Sequence, residues 1–402
     1  MGKGALQRRG LRRLAHPPAS LFPTATSVDG ITVERFDKDS PRRLLAVKEQ
    51  LERGDYQPQP VKRVWIPKPG SAEKRPLGIP TVRDRVVQTA LRMVIEPIFE
   101  REFAEQSYGF RPGRGCHDGL RRVDALLKSG HVQVVDIDIR GYFDAIPREG
   151  LMKLVREHIA DGRVLGLIEA FLKQGVKDGR QTWEPESGTP QGGVVSPLLA
   201  NLYLNPLDWL LAAAGLEAVR YADDMVVLCK DRPTAEQALE QIRRWMEEVG
   251  LELHPEKTRL VDMTEAGSYF DFLGYRFWRS KKGKLKRYVR PKSRQKLRER
   301  LHGMTRRNSG QSLETVIARI NPILRGWYQY FRHASRGALE ETDQWVRARL
   351  RAILRRRQGR RGRGRGVDHQ KWPNRYFANH GLYCLEQARE RELASLRPGV
   401  TC

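Results

Sequence analysis

The sequence predicts an α+β fold, in which a sheet domain of interleaved strands and helices precedes a basic helical region. Apolar strand-like runs alternate with helical segments between residues 131 and 278. The composition then changes, because residues 279–307 contain fourteen Lys or Arg and a single acid. Residues 312–356 have helical periodicity. We therefore expect a domain boundary near residue 280.

The elements ahead of the sheet region are a basic arm, a loop or hairpin, and a helix. The first 28 residues carry five Lys or Arg and no acid, which favours a disordered basic arm over an organelle transit peptide. Proline and glycine are frequent from Pro58 to Pro80, which predicts a loop or hairpin. Apolar periodicity then predicts a helix from Val82 to Phe103.

The sheet region contains three strand-like runs with two helices among them. The runs are HVQVVDIDI (131–139), AVRYADDMVVLCK (218–230) and FDFLGYRFW (270–278). The segment SPLLANLYLNPLDWLLAAAG predicts a buried helix, and residues 234–249 predict an amphipathic one. Thr234 and Gln237 fit a capping box at the start of this second helix, and Gly250 predicts its end.

Composition points to a polyanionic partner. The chain has 74 Lys and Arg against 48 Asp and Glu, a formal net charge of +26. Nucleic acid is the partner that best neutralises such a charge, and a solvated basic surface or an anionic membrane are the alternatives. No apolar run reaches the roughly 18 residues that a membrane span needs. The four cysteines are far apart and form no CxxC pair, so neither a zinc module nor a disulfide framework is predicted.

The first strand run alternates apolar and acidic residues. Side chains along a strand point to opposite faces in turn. Val135, Ile137 and Ile139 should therefore face a core. Asp136 and Asp138 then share the other face.

The second strand run carries two adjacent acids. A tight turn at Tyr221-Ala222-Asp223-Asp224 would bring both acids together, next to Asp138 on a neighbouring strand. Carboxylates crowded in this way repel each other unless cations neutralise them. Oxygen ligands without Cys or His select Mg²⁺ over zinc. A hairpin that the acids merely cap and solubilise is the alternative.

Eight motifs, in order along the chain, carry a resemblance to a known family. They are SVDGITVERF, VKRVWIPKPGSAEKRPLGIPTVRDRVVQ, SYGFRPGRGCHDGL, DIDIRGYFDAI, GTPQGGVVSPLLANLYL, RYADDMVVL, LELHPEKTRLV and FDFLGYRF. With them the chain resembles the reverse transcriptase/maturase encoded by bacterial group II introns, over about residues 28–385.

The resemblance implies a right-hand polymerase with fingers and palm, followed by an α-helical thumb, also called the maturase or X domain. The implied regions are a basic N-terminal arm (1–27), fingers (28–130), palm (131–278), thumb or X domain (279–345) and an Arg-rich C-terminal nucleic-acid-binding region (346–402). Family members often end in an HNH endonuclease. The segment KWPNRYFANHGLYCL (371–385) resembles the closing motif of the family, and no Cys/His cluster follows it, so we expect no endonuclease activity.

The resemblance also implies roles for individual residues. Asp138, Asp223 and Asp224 match the catalytic and metal-binding acids, which would hold two Mg²⁺ ions, with Mn²⁺ as a possible substitute. Five residues match positions that contact the incoming deoxynucleotide: Lys62, Lys68, Arg75, Phe143 and Gln191. The ring of Phe143 would block a ribose 2′-hydroxyl, and core packing is its alternative role. Asp144 is interpreted as structural, and Asp136 as a neighbour that supports the metal ligands.

The C-terminal region suits RNA. Aromatic rings in GWYQYF, interleaved with cations, can stack on bases, although we expect at least half of them to lie in a core. Between Arg347 and Gly366 there are ten arginines and no acid. The residues expected to contact phosphate are Arg355, Arg356, Arg357, Arg360, Arg361, Arg363 and Arg365.

The expected function is RNA-directed DNA synthesis for a group II intron, with assistance to intron splicing and support of retrohoming. The expected partners are RNA template (its own intron RNA), DNA primer or target and deoxynucleotides, with no membrane, in the bacterial cytoplasm. Three alternatives remain open. They are a domesticated reverse transcriptase in phage defence or DNA repair, an RNA-binding splicing cofactor without polymerase activity, and RNA-dependent RNA synthesis, which Phe143 disfavours.

Overall fold

The structure of the chain is a computed structural model that describes residues 27–67, 74–360, 362 and 364–395. The chain divides into two compact units, unit 1 (Met1–Asp262) and unit 2 (Met263–Cys402). Helices and strands are interleaved in unit 1, and helices dominate unit 2. The predicted α+β class is confirmed. The expected boundaries of fingers, palm and thumb stay predictions.

Unit 1 contains nine helices and eight strands among its described residues. The helices are α1 (Val33–Asp37), α2 (Ser40–Arg53), α3 (Val82–Glu100), α4 (Cys116–Lys128), α5 (Tyr142–Ala145), α6 (Arg148–His158), α7 (Gly162–Leu172), α8 (Ser196–Ala213) and α9 (Arg232–Glu248). The strands are β1 (Val61–Pro67), β2 (Lys74–Ile79), β3 (Gln133–Ile137), β4 (Val176–Asp178), β5 (Gln181–Trp183), β6 (Glu217–Tyr221), β7 (Asp224–Cys229) and β8 (Arg259–Asp262).

Two four-stranded sheets organise unit 1. The first has the order β2-β1-β4-β5, in which β1 and β2 form the antiparallel hairpin predicted between Pro58 and Pro80, while β4 runs parallel to β1. The second has the order β6-β7-β3-β8 and is antiparallel throughout. The strand runs 131–139 and 218–230 thus meet in this second sheet, which holds the candidate acids.

The core of unit 1 lies where α8 and α9 pack against the second sheet. Val135, Ile137 and Ile139 are buried, whereas Asp136 and Asp138 are half-buried, so the predicted alternation is confirmed. Helix α8 is buried along most of its length, as its apolar sequence predicts. Each large aliphatic side chain that is fully buried here contributes roughly 1.5–3 kcal/mol through the hydrophobic effect.

The start of α9 corrects a prediction from the sequence. The helix begins at Arg232, and its N-cap is Asp231, whose side chain accepts a hydrogen bond from the Thr234 backbone N–H at 2.9 Å. The predicted capping box at Thr234 is therefore wrong, because an acid three residues upstream already satisfies that N–H. Gly250 follows the helix with a φ of 73°, as predicted.

Unit 2 is a small sheet followed by six helices among its described residues. The strands are β9 (Tyr269–Phe272), β10 (Tyr275–Arg279) and β11 (Leu285–Val289), in the order β11-β10-β9. The helices are α10 (Pro291–Met304), α11 (Leu313–Phe331), α12 (Arg336–Arg357), α13 (Gly366–Lys371), α14 (Asn374–Asn379) and α15 (Leu385–Ser395). In the described part of the chain, no helix is both long enough and apolar enough to cross a membrane.

The aromatic motif GWYQYF ends α11 and contributes to the core of unit 2. Tyr328 and Phe331 are buried, Trp327 is half-buried and Tyr330 is exposed. The Tyr328 hydroxyl donates a hydrogen bond to Glu392 Oε2 at 2.8 Å. Half of these four rings are therefore packing residues, as expected.

Candidate active site

The hairpin between β6 and β7 forms the tight turn that was predicted at YADD. Tyr221 pairs with Asp224, so Ala222 and Asp223 are the two residues of the turn. Ala222 has a φ of 58°, a left-handed conformation that two-residue hairpin turns of the primed types require. The turn lifts Asp223 out of the strand alternation, and its side chain is half-buried while that of Asp224 is exposed.

A fully buried ion pair supports this turn through a hydrogen bond to its backbone. Arg220 and Asp208 are both 0% exposed, and Arg220 Nη2 lies 2.5 Å from Asp208 Oδ2. Arg220 Nη1 donates to the Ala222 carbonyl at 3.0 Å and to Asn201 Oδ1 at 2.9 Å. Such a pair adds little net stability, but the loss of one partner costs about 3–5 kcal/mol because the other charge stays buried. The pair therefore fixes the position of the turn.

Asp138 follows β3 directly and lies beside the hairpin. The β3–β7 ladder runs as far as the pair Ile137–Met225, which leaves Asp138 and Asp224 next along the two strands. The Asp138 carbonyl accepts a hydrogen bond from the His254 N–H at 2.8 Å. Its Oδ1 atom lies 3.1 Å from Lys257 Nζ.

Asp138 and Asp223 are close enough to influence each other electrostatically. Burial raises the pKa of Asp223 above its usual value, and the carboxylate of Asp138 raises it further, whereas Arg220 and Arg75 lower it. Across the described residues, no group of three or more His, Cys, Asp or Glu side chains is arranged to hold a metal ion. The structure thus places Asp138 beside the hairpin that carries Asp223 and Asp224, but the three carboxylates do not form a metal-binding cluster among the described residues.

Asp136 occupies the strand position before the candidate ligand on the same face. It is opposite Arg259 in the β3–β8 register, and its Oδ2 atom lies 3.2 Å from Arg259 Nε. Its charge is therefore compensated within the sheet, which fits a supporting role rather than that of a metal ligand.

The basic residues expected to bind the nucleotide lie on the β1–β2 hairpin. Arg75 is exposed on β2, and its positive charge lowers the pKa of Asp223. Lys62 is half-buried on β1, where it pairs with Ile79 of β2 and with Lys177 of β4. Lys68 lies outside the described residues.

Phe143 and Gln191 lie in two segments that contact each other. Phe143 belongs to the single turn α5 and packs partly against the core, and its carbonyl accepts from the Thr189 N–H at 2.7 Å. The Gln191 side-chain amide donates to Asp144 Oδ2 at 2.8 Å. A cavity of about 180 Å³ adjoins them, lined in part by Arg63. The role of Asp144 is thus to hold the side chain of Gln191.

The arginines expected to contact phosphate differ in exposure. Arg356, Arg357, Arg360 and Arg365 are exposed. Arg355, by contrast, is mostly buried, and its Nη1 atom lies 2.5 Å from Asp368 Oδ2, so it is less available to a phosphate than its neighbours. Arg361 and Arg363 lie outside the described residues.

Sequence reasoning missed the residues that support the site. Arg220 stands in the buried part of β6, and a charge inside a buried strand is itself a signal that a partner exists. Gln88 is buried on α3, and its Oε1 atom accepts from the Val194 N–H at 2.6 Å, which anchors the segment after Gln191. Nothing in the local sequence of α3 indicated this contact.

Profiles of two known protein families match the chain. The profile of the family "Reverse transcriptase (RNA-dependent DNA polymerase)" matches residues 66–277, just over half of the 402 residues. The profile "Group II intron, maturase-specific domain" matches residues 294–372. Telomerase from Candida albicans matches in structure with a TM-score of 0.48 and 12% identity, covering 89% of this chain and 70% of that one, too low a likeness to support a conclusion.

Two curated relatives show how far the similarity in sequence extends. The group II intron-encoded protein LtrA of Lactococcus lactis is 42% identical over 182 residues, which are 45% of this chain and 30% of LtrA. Protein YkfC of Escherichia coli is 33% identical over 293 residues, covering 63% of this chain and 76% of YkfC. The chain thus matches less than a third of LtrA and about three quarters of YkfC. It belongs to the reverse transcriptase family and carries the maturase-specific domain of group II introns.

Proposed function

We propose that the chain is an RNA-directed DNA polymerase of a group II intron. The observation that carries the proposal is that Asp138, directly after β3, lies beside the β6–β7 turn that holds Asp223, in a chain that matches the reverse transcriptase family. Two carboxylates held side by side repel each other, and a divalent cation between them would relieve that repulsion.

Reverse transcriptases generally use divalent metal ions, and the side chains at this site fit one. Both donors are carboxylates, the hard oxygen ligands that favour Mg²⁺, with Mn²⁺ as a substitute. Asp138 and Asp223 would hold the ions, joined by Asp224. Bound ions would polarise phosphoryl oxygens and activate the attacking primer hydroxyl.

The surrounding residues would bind and select the deoxynucleotide. Arg75 and Lys62 would contact its triphosphate, since both are cations on the β1–β2 hairpin and Arg75 is near enough to Asp223 to lower the pKa of that carboxyl group. Lys68 is proposed for the same task on the strength of the family resemblance alone. Gln191, held by Asp144, would face the sugar, and the ring of Phe143 would exclude a ribose 2′-hydroxyl.

Unit 2 would bind RNA and support splicing. Its match to the maturase-specific domain and its exposed arginines favour this role. The proposed partners are the intron RNA as template and a DNA primer or target, in the bacterial cytoplasm. The proposal includes retrohoming, because a copied intron must be joined to a DNA target.

Primer extension on an RNA template tests the proposal. Asp223→Ala should lower the rate of DNA synthesis by roughly two to four orders of magnitude, because charge stabilisation worth several kcal/mol is lost. RNA affinity should stay unchanged. Glu252→Ala is the control, since this exposed acid pairs with Arg140 rather than with the site. Normal synthesis by Asp223→Ala would overturn the proposal.

A splicing cofactor that does not copy RNA is the second candidate. The separate maturase-specific match in unit 2 is the observation that favours it. In that case Asp138→Ala and Asp223→Ala would leave splicing of the intron intact, and the unaltered protein would extend no primer. A folded intron in the flanking DNA would distinguish both candidates from a domesticated enzyme in defence or repair.

A further inference from the structure

The loop before α4 packs tightly on the hairpin that carries the candidate acids. A Cβ atom at Gly109 would lie 2.4 Å from the Ala222 nitrogen and 2.9 Å from the Tyr221 carbonyl carbon, so only glycine fits this approach. Asn201 Nδ2 donates to the Gly109 carbonyl at 2.6 Å. The Tyr108 N–H donates to the Arg220 carbonyl at 2.8 Å. The loop therefore has one fixed position relative to Asp223.

The other side of this loop is fixed as well. Arg111 is buried, and its Nη1 atom donates to the carbonyls of Ala104 and Ser107 at 2.6 and 3.0 Å. Its Nε atom donates to Glu100 at 2.9 Å. Phe110 lies between these two anchored residues, Gly109 and Arg111, and cannot move away without breaking their contacts.

Phe110 itself has an unfavourable backbone conformation that burial of its side chain does not account for. Its φ is 57°, the left-handed region that a bulky residue adopts only at a cost. The residue is 45% exposed, so the strain does not serve burial in the core. The ring centroid lies 6.1 Å from that of Tyr221, two residues before Asp223. Strained residues of this kind concentrate at functional sites.

We propose that Phe110 and Tyr221 form an aromatic platform that packs on the terminal nucleotide of the primer strand. The inference rests on the proposed polymerase function, because the primer 3′ end must then reach Asp138 and Asp223. Aromatic rings stack on any base, so the contact would tolerate every primer sequence, as a copying enzyme needs. Arg111, which is buried behind the loop, would only position the platform.

The experiment compares Phe110→Asn and Phe110→Trp with the unaltered protein. Asparagine tolerates the left-handed conformation, so Phe110→Asn should keep its melting temperature while it loses the ring. We expect it to bind a primer–template duplex roughly 5- to 100-fold more weakly. The KM for the deoxynucleotide should stay the same. Phe110→Trp should restore most of the affinity.

Fluorescence of 2-aminopurine placed in the primer reports which nucleotide the aromatic platform contacts. The fluorescence of a probe at the 3′ terminus should be quenched by the unaltered protein and less so by Phe110→Asn. A probe six nucleotides upstream should respond equally in both. Trp209→Leu, which removes an aromatic ring that is 53% exposed on α8, is the control and should bind primer normally.

The outcomes separate this inference from the polymerase proposal. If the unaltered protein extends primers, Asp223→Ala does not, and Phe110→Asn binds primer normally, only the platform is overturned. An equal change at the terminal and upstream probes would also overturn it, since the ring would then act on the duplex as a whole. If the unaltered protein extends no primer, the polymerase proposal itself fails.

Discussion

Asp138 is in contact with a cation of its own chain. Lys257 Nζ lies 3.1 Å from its Oδ1 atom, and the two side chains are 57% and 39% exposed. A pair this exposed is worth about 0–1 kcal/mol, because water screens it. A divalent ion carries twice the charge of the ammonium group. Lys257 is therefore a weak competitor for the carboxylate that the metal would use.

We predict that Lys257→Met lowers the Mg²⁺ concentration needed for half-maximal primer extension. The shift should be about two- to fivefold, the equivalent of an exposed ion pair. A titration of initial rate against Mg²⁺ measures it. Arg140→Met removes the same charge from the neighbouring exposed pair with Glu252 and should leave the midpoint unchanged. A rise in the midpoint of Lys257→Met would show that the lysine assists catalysis instead.

Residues of the site were predictable from sequence to different degrees. Strand alternation places Asp136 and Asp138 on one face, and the family resemblance selects Asp138 between them. The turn that carries Asp223 follows from two acids between β-rich arms. The bond between Gln191 and Asp144 did not follow, because it joins residues 47 apart that only the tertiary fold brings together. The two candidate acids were thus recognisable from local sequence, whereas the residues that hold the surrounding segments in place were not.

The segment around Gln191 is held against strand β2, because the backbones of the two segments are in close contact. The Gly78 N–H donates to the Gln191 carbonyl at 2.7 Å. Gly192 has a φ of 105°, and a Cβ atom there would lie 2.1 Å from the Gly78 carbonyl oxygen. This contact sets the distance between Gln191 and the strand that carries Arg75.

We predict that Gly192→Ala weakens nucleotide binding, because it disrupts the close contact between Gly192 and Gly78. The substitution strains the backbone and separates the two segments, so stability should fall by more than about 1 kcal/mol. The KM for the deoxynucleotide should rise at least about tenfold, while primer affinity stays the same. Steady-state kinetics and thermal unfolding check both effects.

Gly162→Ala serves as the matched control for Gly192→Ala. It lies at the first position of α7, and a Cβ atom there would have no neighbour within 4 Å. Stability and KM should both be close to those of the unaltered protein. An unchanged KM in Gly192→Ala would show that the contact between Gly192 and Gly78 does not position Gln191.

At the level of elements, the sequence predicted whether a segment is a helix or a strand more accurately than where the element begins or which strand it pairs with. The helix over residues 234–249 exists, but its start was misplaced because the cap at Asp231 precedes the periodic apolar stripe. The strand run 270–278 exists too, yet it pairs within itself and with β11 rather than with the strands that carry the acids. Local patterns determine whether a segment is a strand, while its neighbours depend on contacts distant in sequence.

The net charge of +26 is not all available to nucleic acid. Some arginines are structural: Arg351 is buried, and its Nε atom donates to the Trp372 carbonyl at 2.9 Å. Others are compensated, as Arg232 is by Glu236 at 2.7 Å. Arg356, Arg357 and Arg360 are exposed at the end of α12, although Arg357 also donates a hydrogen bond to the Gln311 carbonyl. Counterion release therefore depends on where each charge lies rather than on the total.

Salt dependence of RNA binding distinguishes these classes of arginine. We predict that replacement of Arg356, Arg357 and Arg360 by Gln makes the slope of log K against log salt concentration shallower by about 2–3, since each lost phosphate contact removes about 0.7–0.9. Replacement of Arg232, Arg243 and Arg244, which pair with Glu236 and Glu240, removes the same charge and should change the slope little. Equal slopes for the two triple variants would mean that total charge, and not the end of α12, controls RNA affinity.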